Sequence, residues 1–502
     1  MSKIFESIRM KKPSFSGFDL SGERKFSCKM GQLIPILVQE ILPNDKFRVQ
    51  TEVQIRFAPM IAPVQHRINV FVHYFYVPNR IIWDDWEDFI GGGREGTSAP
   101  TMPVLSFTTA LKTRGSLADH MGIQAVANSG AGAEPDLSQL PFRAYTQIWN
   151  DYFRDPTLDA PRDIEVTTEI DDILWRSWEK DYFTSCLPWT QRGDEVQTPF
   201  SFNPILNEHA EIWNTTQATP TLDTTAGDLT NVSGNIYRSG TGAGPRQIDN
   251  SSALGMTIND LRQTARLQEW LENNARGGYR YIEQLLHRWG VTSSDQRLNR
   301  VEYLGGGRQP VVISEVLNTS ATATQPQGEM AGHGISVGMA NKMSKRFEEH
   351  GWLFGIMSVL PRTNYSQGVP RWATRFDKLD YYSPEFAHLG EQAINSYELY
   401  YDPADDIDDP TSNGETFGYQ QRWAEYKYGC SIVSGDYADT LDFWTLSRQF
   451  SARPQLNSTF ISSADIDDRI FANQSGDDTL WCQVFNNVKA IRPMPYFAMP
   501  RL

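Results

Sequence analysis

Residues 47–57 (FRVQTEVQIRF) alternate strictly: Phe47, Val49, Thr51, Val53, Ile55 and Phe57 fall between Arg48, Gln50, Glu52, Gln54 and Arg56. A period of two is the signature of a strand with one buried face and one wet face. Residues 67–77 (RINVFVHYFYV) are apolar on both faces and rich in β-branched and aromatic side chains, which predicts a strand enclosed between two layers. Weaker strand signals lie at 32–39, 311–317, 352–360, 396–401, 426–433 and 481–485. Pro43-Asn44-Asp45 supplies a turn ahead of residue 47, and Pro78-Asn79 ends the run at 67–77.

Helical spacing is rarer. Residues 141–153 place Phe142, Tyr145, Trp149 and Tyr152 on one stripe, with Pro141 suited to a first turn and Asp155-Pro156 to a stop. Thr257 is positioned to cap a helix whose stripe runs from Ile258, Leu261 and Ala265 to Trp270 and Leu271. A further stripe, Ile282, Leu285, Leu286 and Trp289, ends at Gly290, a left-handed stop. Between these elements, 91–103 and 215–255 are dominated by Gly, Ser, Thr and Pro. Loops of that length argue against a compact enzyme domain and mark surface segments. The pattern is mainly β: an antiparallel β-sandwich with few helices and long loop insertions, which a jelly roll fits best. Residues 1–502 are read as one such domain, with 192–255 a surface loop or protrusion inserted within it.

Composition narrows the function. Hydrophobic residues make up 40% of the 502 and aromatic residues 12%, enough for a large core and for extensive interfaces. Forty-six Lys and Arg against 61 Asp and Glu give a net charge of −15, which excludes a protein that wraps nucleic acid over its whole surface. Contact with DNA then needs a local patch or a basic partner. The densest run of cations is Lys3, Arg9, Lys11 and Lys12, with only Glu6 nearby, and it is the candidate for DNA or inner-surface contact. The N-terminus lacks the apolar stretch of a secretory signal, and the longest apolar run, 352–360, is too short to span a bilayer. A soluble chain made without export is expected.

No motif carries catalysis. Gly334-Ile335-Ser336-Val337-Gly338 matches the nucleophile-elbow pattern formally, but no strand signal precedes it, so a flexible loop is expected there. Gly91–Gly96 has the glycines of a phosphate loop without its Lys and Ser/Thr ending. The four cysteines, Cys28, Cys186, Cys430 and Cys482, and the eight histidines show no metal-ligand spacing. The acidic clusters at 402–409 (DPADDIDD) and 465–468 lack the ligand alternation and glycine of a calcium loop. No catalytic residue, metal ligand or cofactor site is expected.

Several collinear segments are diagnostic together. Phe18-Asp19-Leu20-Ser21 precedes Gly31-Gln32-Leu33-Ile34-Pro35, then Glu40-Ile41-Leu42-Pro43-Asn44-Asp45, Arg56-Phe57-Ala58-Pro59 and Phe75-Tyr76-Val77-Pro78-Asn79-Arg80. Leu140-Pro141-Phe142-Arg143-Ala144-Tyr145 leads through Ile148-Trp149-Asn150-Asp151-Tyr152-Phe153 to Pro188-Trp189-Thr190-Gln191-Arg192-Gly193. Gly278-Tyr279-Arg280-Tyr281, RLNRVEYLGG at 297–306, and Arg492-Pro493-Met494-Pro495-Tyr496-Phe497 follow in order. In these segments the chain resembles the major capsid proteins of microviruses, single-stranded-DNA bacteriophages, and their gokushovirus-like branch in particular. The resemblance fails across the Thr/Gly-rich stretch.

What the resemblance implies is an eight-stranded viral jelly roll that builds a T=1 icosahedral shell around circular single-stranded DNA, without a cofactor. The implied partners are further copies of the chain, with pentamers as building blocks, and the packaged DNA, held with a small basic viral protein. A minor DNA-pilot-type capsid protein and a bacterial surface receptor complete the set. The implied location is the virion, after synthesis in the host cytoplasm. Two other classes compete. A carbohydrate-active sandwich would use exposed Trp and Tyr to stack sugars, but these aromatics fall in apolar strand and helix stripes. A receptor-binding spike would show repeats or heptads, and the sequence has neither.

Overall fold

The computed structural model describes residues 14–91, 99–106, 111–123, 136–194, 258–277, 294–317, 330–339, 342–472 and 477–497. Short pieces at 108, 212–214, 236–238, 283, 286–287, 290 and 292 are also described. The chain forms two compact units, residues 1–190 with 280–502, and residues 191–279.

In the first unit β1 (Ser16–Asp19), β2 (Gly22–Cys28), β3 (Ile34–Ile41), β4 (Lys46–Phe57) and β5 (Ile68–Pro78) come in quick succession. The turn between β3 and β4 uses Asn44 at φ 74°, a left-handed conformation that Asn tolerates. The short strands β6 (Val104–Ser106) and β7 (Asp136–Ser138) pair with each other, as do β8 (Ile212–Asn214) and β9 (Ile236–Arg238) in the second unit. The framework resumes with β10 (Glu302–Pro310), β11 (Val312–Leu317), β12 (Met330–Met339), β13 (Met343–Arg346) and β14 (Gly351–Pro361). A hairpin of β15 (Glu391–Asn395) and β16 (Thr416–Gln421) follows, and β17 (Leu480–Arg492) comes last.

Two antiparallel sheets result. In the seven-stranded sheet β17 lies between β4 and the pair β1 and β2, while β4 continues to β12 and β13 and β12 to β11. The four-stranded sheet has the order β10-β5-β14-β3. The alternation at 47–57 becomes burial: Phe47, Val49, Val53, Ile55 and Phe57 point into one core with Leu480, Val484 and Val488 of β17. Val70, Val72, Tyr74 and Tyr76 of β5 and Leu353, Met357 and Val359 of β14 belong to the same core from the other sheet. The opposite face of β5 and β14, with Phe75, Val77, Phe354 and Ile356, packs against Phe142, Tyr145 and Ile148 of the Leu140–Ile148 helix. That second layer is why residues 67–77 are apolar on both faces. Tyr145 fixes it, donating to the Leu33 carbonyl at 2.7 Å and accepting from the Leu174 amide at 3.0 Å.

Some expectations need correction. The segment 396–401 is not a strand: Ser396–Glu398 form a 3-10 turn after β15, with Asn395 and Glu398 making a capping box. Residues 426–433 hold the end of the Ala424–Lys427 helical turn and irregular chain, with Tyr426, Tyr428 and Ile432 exposed and only Cys430 packed against the neighbouring loop-covered core. Gly334–Gly338 is not a flexible loop but part of β12. Its glycines hid the strand from propensity, since a Cβ at Gly334 would sit 2.9 Å from Cγ of Phe57. The helix from Ile258 runs to Gly277; Thr257 and most of the stripe at 282–289 lie outside the described residues, while Gly290 has φ 66°.

A chain of buried hydrogen bonds crosses the sandwich. Tyr74 Oη donates to Thr51 Oγ1 at 2.7 Å, and Thr51 Oγ1 donates to Asn486 Oδ1 at 2.8 Å. Asn486 Nδ2 then donates to the Ile36 carbonyl at 2.8 Å. Four strands, β5, β4, β17 and β3, are thereby joined across both sheets. Replacing Asn486 by Leu removes the acceptor of the Thr51 hydroxyl proton and the side-chain donor to the Ile36 carbonyl, an expected cost of about 2–4 kcal/mol. Urea unfolding of the isolated chain measures this, and Tyr74→Phe should cost less, about 1 kcal/mol. A midpoint unchanged by Asn486→Leu would show the chain of bonds to be dispensable.

Candidate functional site

The wet face of the seven-stranded sheet is its most distinctive surface. Strand alternation that buries Phe47 and Val49 turns Lys46, Arg48, Glu52 and Arg56 outward, and on β17 it exposes Trp481, Gln483, Phe485 and Lys489. Register then brings like charges together. Arg48 stands directly opposite Lys489, and Lys46 directly opposite Arg346 of β13. Lys489 is paired with Asp19 and Arg346 donates to Asn44 Oδ1 at 2.6 Å. Among the described residues no ion pair joins Lys46, Arg48 or Arg56 to an acid. Farther along, Trp481, 51% exposed, stands opposite Arg56, and Phe485 opposite Glu52.

Lys3, Arg9, Lys11 and Lys12 lie outside the described residues, but the chain that follows them is fixed. Ser16 of β1 pairs with Arg492, and Gly17 with Ile491, the neighbour of Lys46. The sheet cluster itself was missed from sequence, because the polar half of an alternating strand reads as plain solvation. Two cations at alternate positions, Lys46 and Arg48, were the available signal.

The formal nucleophile motif has no catalytic geometry. Ser336 is buried in mid-strand; its Oγ donates to the Pro310 carbonyl and accepts from Gln309 Nε2, each at 3.0 Å. No turn exposes it, and no His or carboxylate contacts its hydroxyl. The residues 92–96 of the glycine run lie outside the described residues. The acidic segment at 402–409 is organised by Asn413, whose Nδ2 donates to the carbonyls of Asp402 and Asp405 at 2.9 and 3.0 Å. It borders a cleft of about 390 Å³. In the other cluster Asp465 accepts from Trp178 Nε1 at 3.2 Å and pairs with Arg448 at 3.0 Å. Among the described residues no group of three or more His, Cys, Asp or Glu is placed to hold a metal ion, and no helix is long and apolar enough to cross a membrane.

The insertion between β14 and β17 is pinned by buried polar groups in structural roles. Asp181 accepts from Thr363 Oγ1 at 2.6 Å and Tyr365 Oη at 2.7 Å. Glu398 accepts from Tyr182 Oη at 2.9 Å, with Arg371 at 3.7 Å. Arg375 pairs with Glu425 at 2.9 Å and lies 4.3 Å over the Tyr426 ring. Every carboxylate here faces a hydroxyl or guanidinium already committed to it, so the cluster holds loops together and presents no free acid or base.

Comparison with known proteins finds capsid proteins. A family model described as "Capsid protein (F protein)" matches residues 7–502. The chain is 32% identical to capsid protein VP1 of Chlamydia phage 1, over 97% of this chain and 95% of that protein. It is 34% identical to capsid protein VP1 of Bdellovibrio phage phiMH2K, over the same shares of each. Capsid protein VP1 of Spiroplasma virus 4 is 29% identical, over 94% of this chain and 92% of its own.

Two histidines, His66 just ahead of β5 and His73 within it, are held neutral. His66 Nε2 lies 2.6 Å from the Arg362 carbonyl while Nδ1 accepts from the Leu446 amide at 3.3 Å, which fixes the neutral tautomer. Burial, with the nearby Arg469, lowers its pKa to about 4. His73 sits among Phe71, Phe75, Phe153 and Tyr303, and burial with the charge of Arg176 lowers it to about 4 as well. A depressed folded pKa means fewer protons bound when folded, so this stability is present above pH 6.5 and is lost as pH falls toward 4. Thermal melts of the unassembled subunit should decline over that window, and the decline should be shallower in His66→Gln/His73→Gln. Parallel pH profiles for the two proteins would refute the assignment.

Proposed function

The chain belongs to the capsid protein (F protein) family of phages, and from that membership we propose that it is the subunit of a T=1 icosahedral shell, built through pentamers around a circular single-stranded DNA genome. The observation that carries the reading is strand order. β2-β17-β4-β12 faces β3-β14-β5-β10 across one core, and two four-stranded antiparallel sheets in that order support the reading as an eight-stranded jelly roll. β1, β11 and β13 extend one of them. The role is structural: Ser336 is a buried strand residue, and the polar clusters of the insertion are saturated by one another.

The partners follow from the same reading. They are copies of the chain, the packaged DNA with a small basic viral protein, a minor DNA-pilot-type protein, and a receptor on the bacterial surface. Synthesis and assembly take place in the host cytoplasm. Receptor contact falls to residues 192–255, which lie within the compact unit 191–279. Their Thr, Asn, Gly and Ser content suits exposed turns, and loops on a rigid scaffold are where recognition resides. In the same unit the Ile258–Gly277 helix leaves Leu261, Leu267 and Trp270 about half exposed.

Expression of the full chain with its viral partners should give closed particles in negative-stain images and a single fast-sedimenting species. Small soluble oligomers as the end state would remove the shell reading. Replacing residues 215–244 by a short Gly/Ser linker should leave subunits and shells intact and reduce attachment to host cells. Unfolded subunits would assign the segment to the core; undiminished attachment would remove its recognition role.

A further inference from the structure

The wet face of the seven-stranded sheet is a second place where an acidic chain carries unneutralised positive charge, and it is rigid. We propose that this face binds single-stranded DNA, with Lys46, Arg48, Arg346 and Lys489 on the phosphates and Trp481 and Phe485 as stacking platforms for bases. The inference rests on the shell reading for its biological setting, and its chemistry stands on the sheet alone.

Opposed like charges in a β-ladder repel, so a sheet that places Arg48 opposite Lys489 and Lys46 opposite Arg346 loses stability unless an anion lies between them. Asp19 neutralises only Lys489 of the four, and Asn44, the acceptor for Arg346, is uncharged. The missing counter-charge is external. A polyanion fits better than a single ion because the cations run along adjacent rungs, and Arg56, eight positions from Arg48, lies roughly 26 Å farther along β4. Trp481 and Phe485 occupy the rungs of Arg56 and Glu52, on the same face of β17 as Lys489. They are 51% and 39% exposed. Aromatic faces in line with cations on a sheet are what sequence-independent single-strand binding uses.

The test uses unassembled full-length subunits and a fluorescent oligothymidine, titrated at several salt concentrations. Lys46→Gln/Arg48→Gln/Arg346→Gln should lower affinity at least about tenfold at low salt. It should also reduce the slope of log affinity against log salt by about 2, since each phosphate contact on a single strand contributes about 0.7. Trp481→Ala should lower affinity with the slope unchanged, because stacking releases no counterion. Thermal melts of the double variant Lys46→Gln/Arg48→Gln should be no lower than those of the parent, as these two side chains lose only repulsion, whereas Arg346→Gln also gives up its bond to Asn44. Unchanged affinity and slope in the triple variant would overturn the proposal. So would polyglutamate competing as well as DNA while Trp481→Ala had no effect, which would give the face to an acidic protein segment. Particles that form from the triple variant but hold less DNA would support it. Failure of the parent chain to form shells would sink the shell reading and leave the binding result standing.

Discussion

β17 (Leu480–Arg492) is the last strand of the chain and lies inside the seven-stranded sheet, with β4 along one side and β1 and β2 sharing the other. That placement is the constraint on which the first unit depends. β4 has no partner on that side until the C-terminal segment arrives, and β1 and β2 have no sheet to join. The buried Asn486 of β17 also completes the hydrogen-bond chain from Tyr74 through Thr51 to Ile36, so the same strand closes the sheet and ties the two sheets together. An Asn at the centre of an apolar core is costly unless each of its polar atoms is satisfied. Here they are, and the register of β17 against β4 is fixed by that need as well as by alternation.

The long excursions become intelligible against this framework. Residues 79–301 leave at the end of β5 and return in β10, the strand antiparallel to it, with Glu302 opposite Tyr76. Residues 362–479 leave at the end of β14 and return in β17. The cost of closing a loop rises only with the logarithm of its length, so insertions of this size are tolerated when their ends are held by neighbouring strands. What an insertion must do is satisfy its own polar groups. The one between β14 and β17 does so with Glu398, Arg375 and Glu425, and the two insertions share Asp181, which accepts from Tyr365, and a small aromatic core of Phe183, Phe417 and Phe460.

How much of this was legible in the sequence follows from which force fixed each element. β4, β5 and β14 are set by burial, and burial writes period two or a continuous apolar run into the chain. The Leu140–Ile148 helix is legible for the same reason. β10 and β12 were hidden, since EYLGGGRQP and MAGHGISVGM carry glycines where the neighbouring strand or side chains come too close for a Cβ. In 396–401 the apolar residues serve a loop-covered core, so tertiary packing overrode strand propensity. The resemblance to microvirus capsid proteins rested on short collinear motifs, several of them at turns and caps such as Pro43-Asn44-Asp45 and Pro78-Asn79. The cationic face was illegible for a different reason. Its residues come from β4, β13 and β17, far apart in sequence, and only register makes them neighbours.

Net charge and local field answer different questions. A charge of −15 governs solubility and the long-range repulsion between copies of the chain, and salt screens it beyond about 8 Å at physiological ionic strength. A phosphate lying on the sheet feels the cations within that distance and little of the acids beyond it. An acidic subunit can therefore stay soluble at high concentration and still present an attractive surface to nucleic acid, provided the cations are gathered on rungs of one face apart from its acids. The alternation of β4 does the gathering, since one face must be apolar for the core and the other is free to carry charge. Glu52 and Glu23 sit beside Phe485 in the middle of the face, away from the rungs of Arg48 and Lys46. The same period-two pattern that makes the sandwich thus sorts the charge.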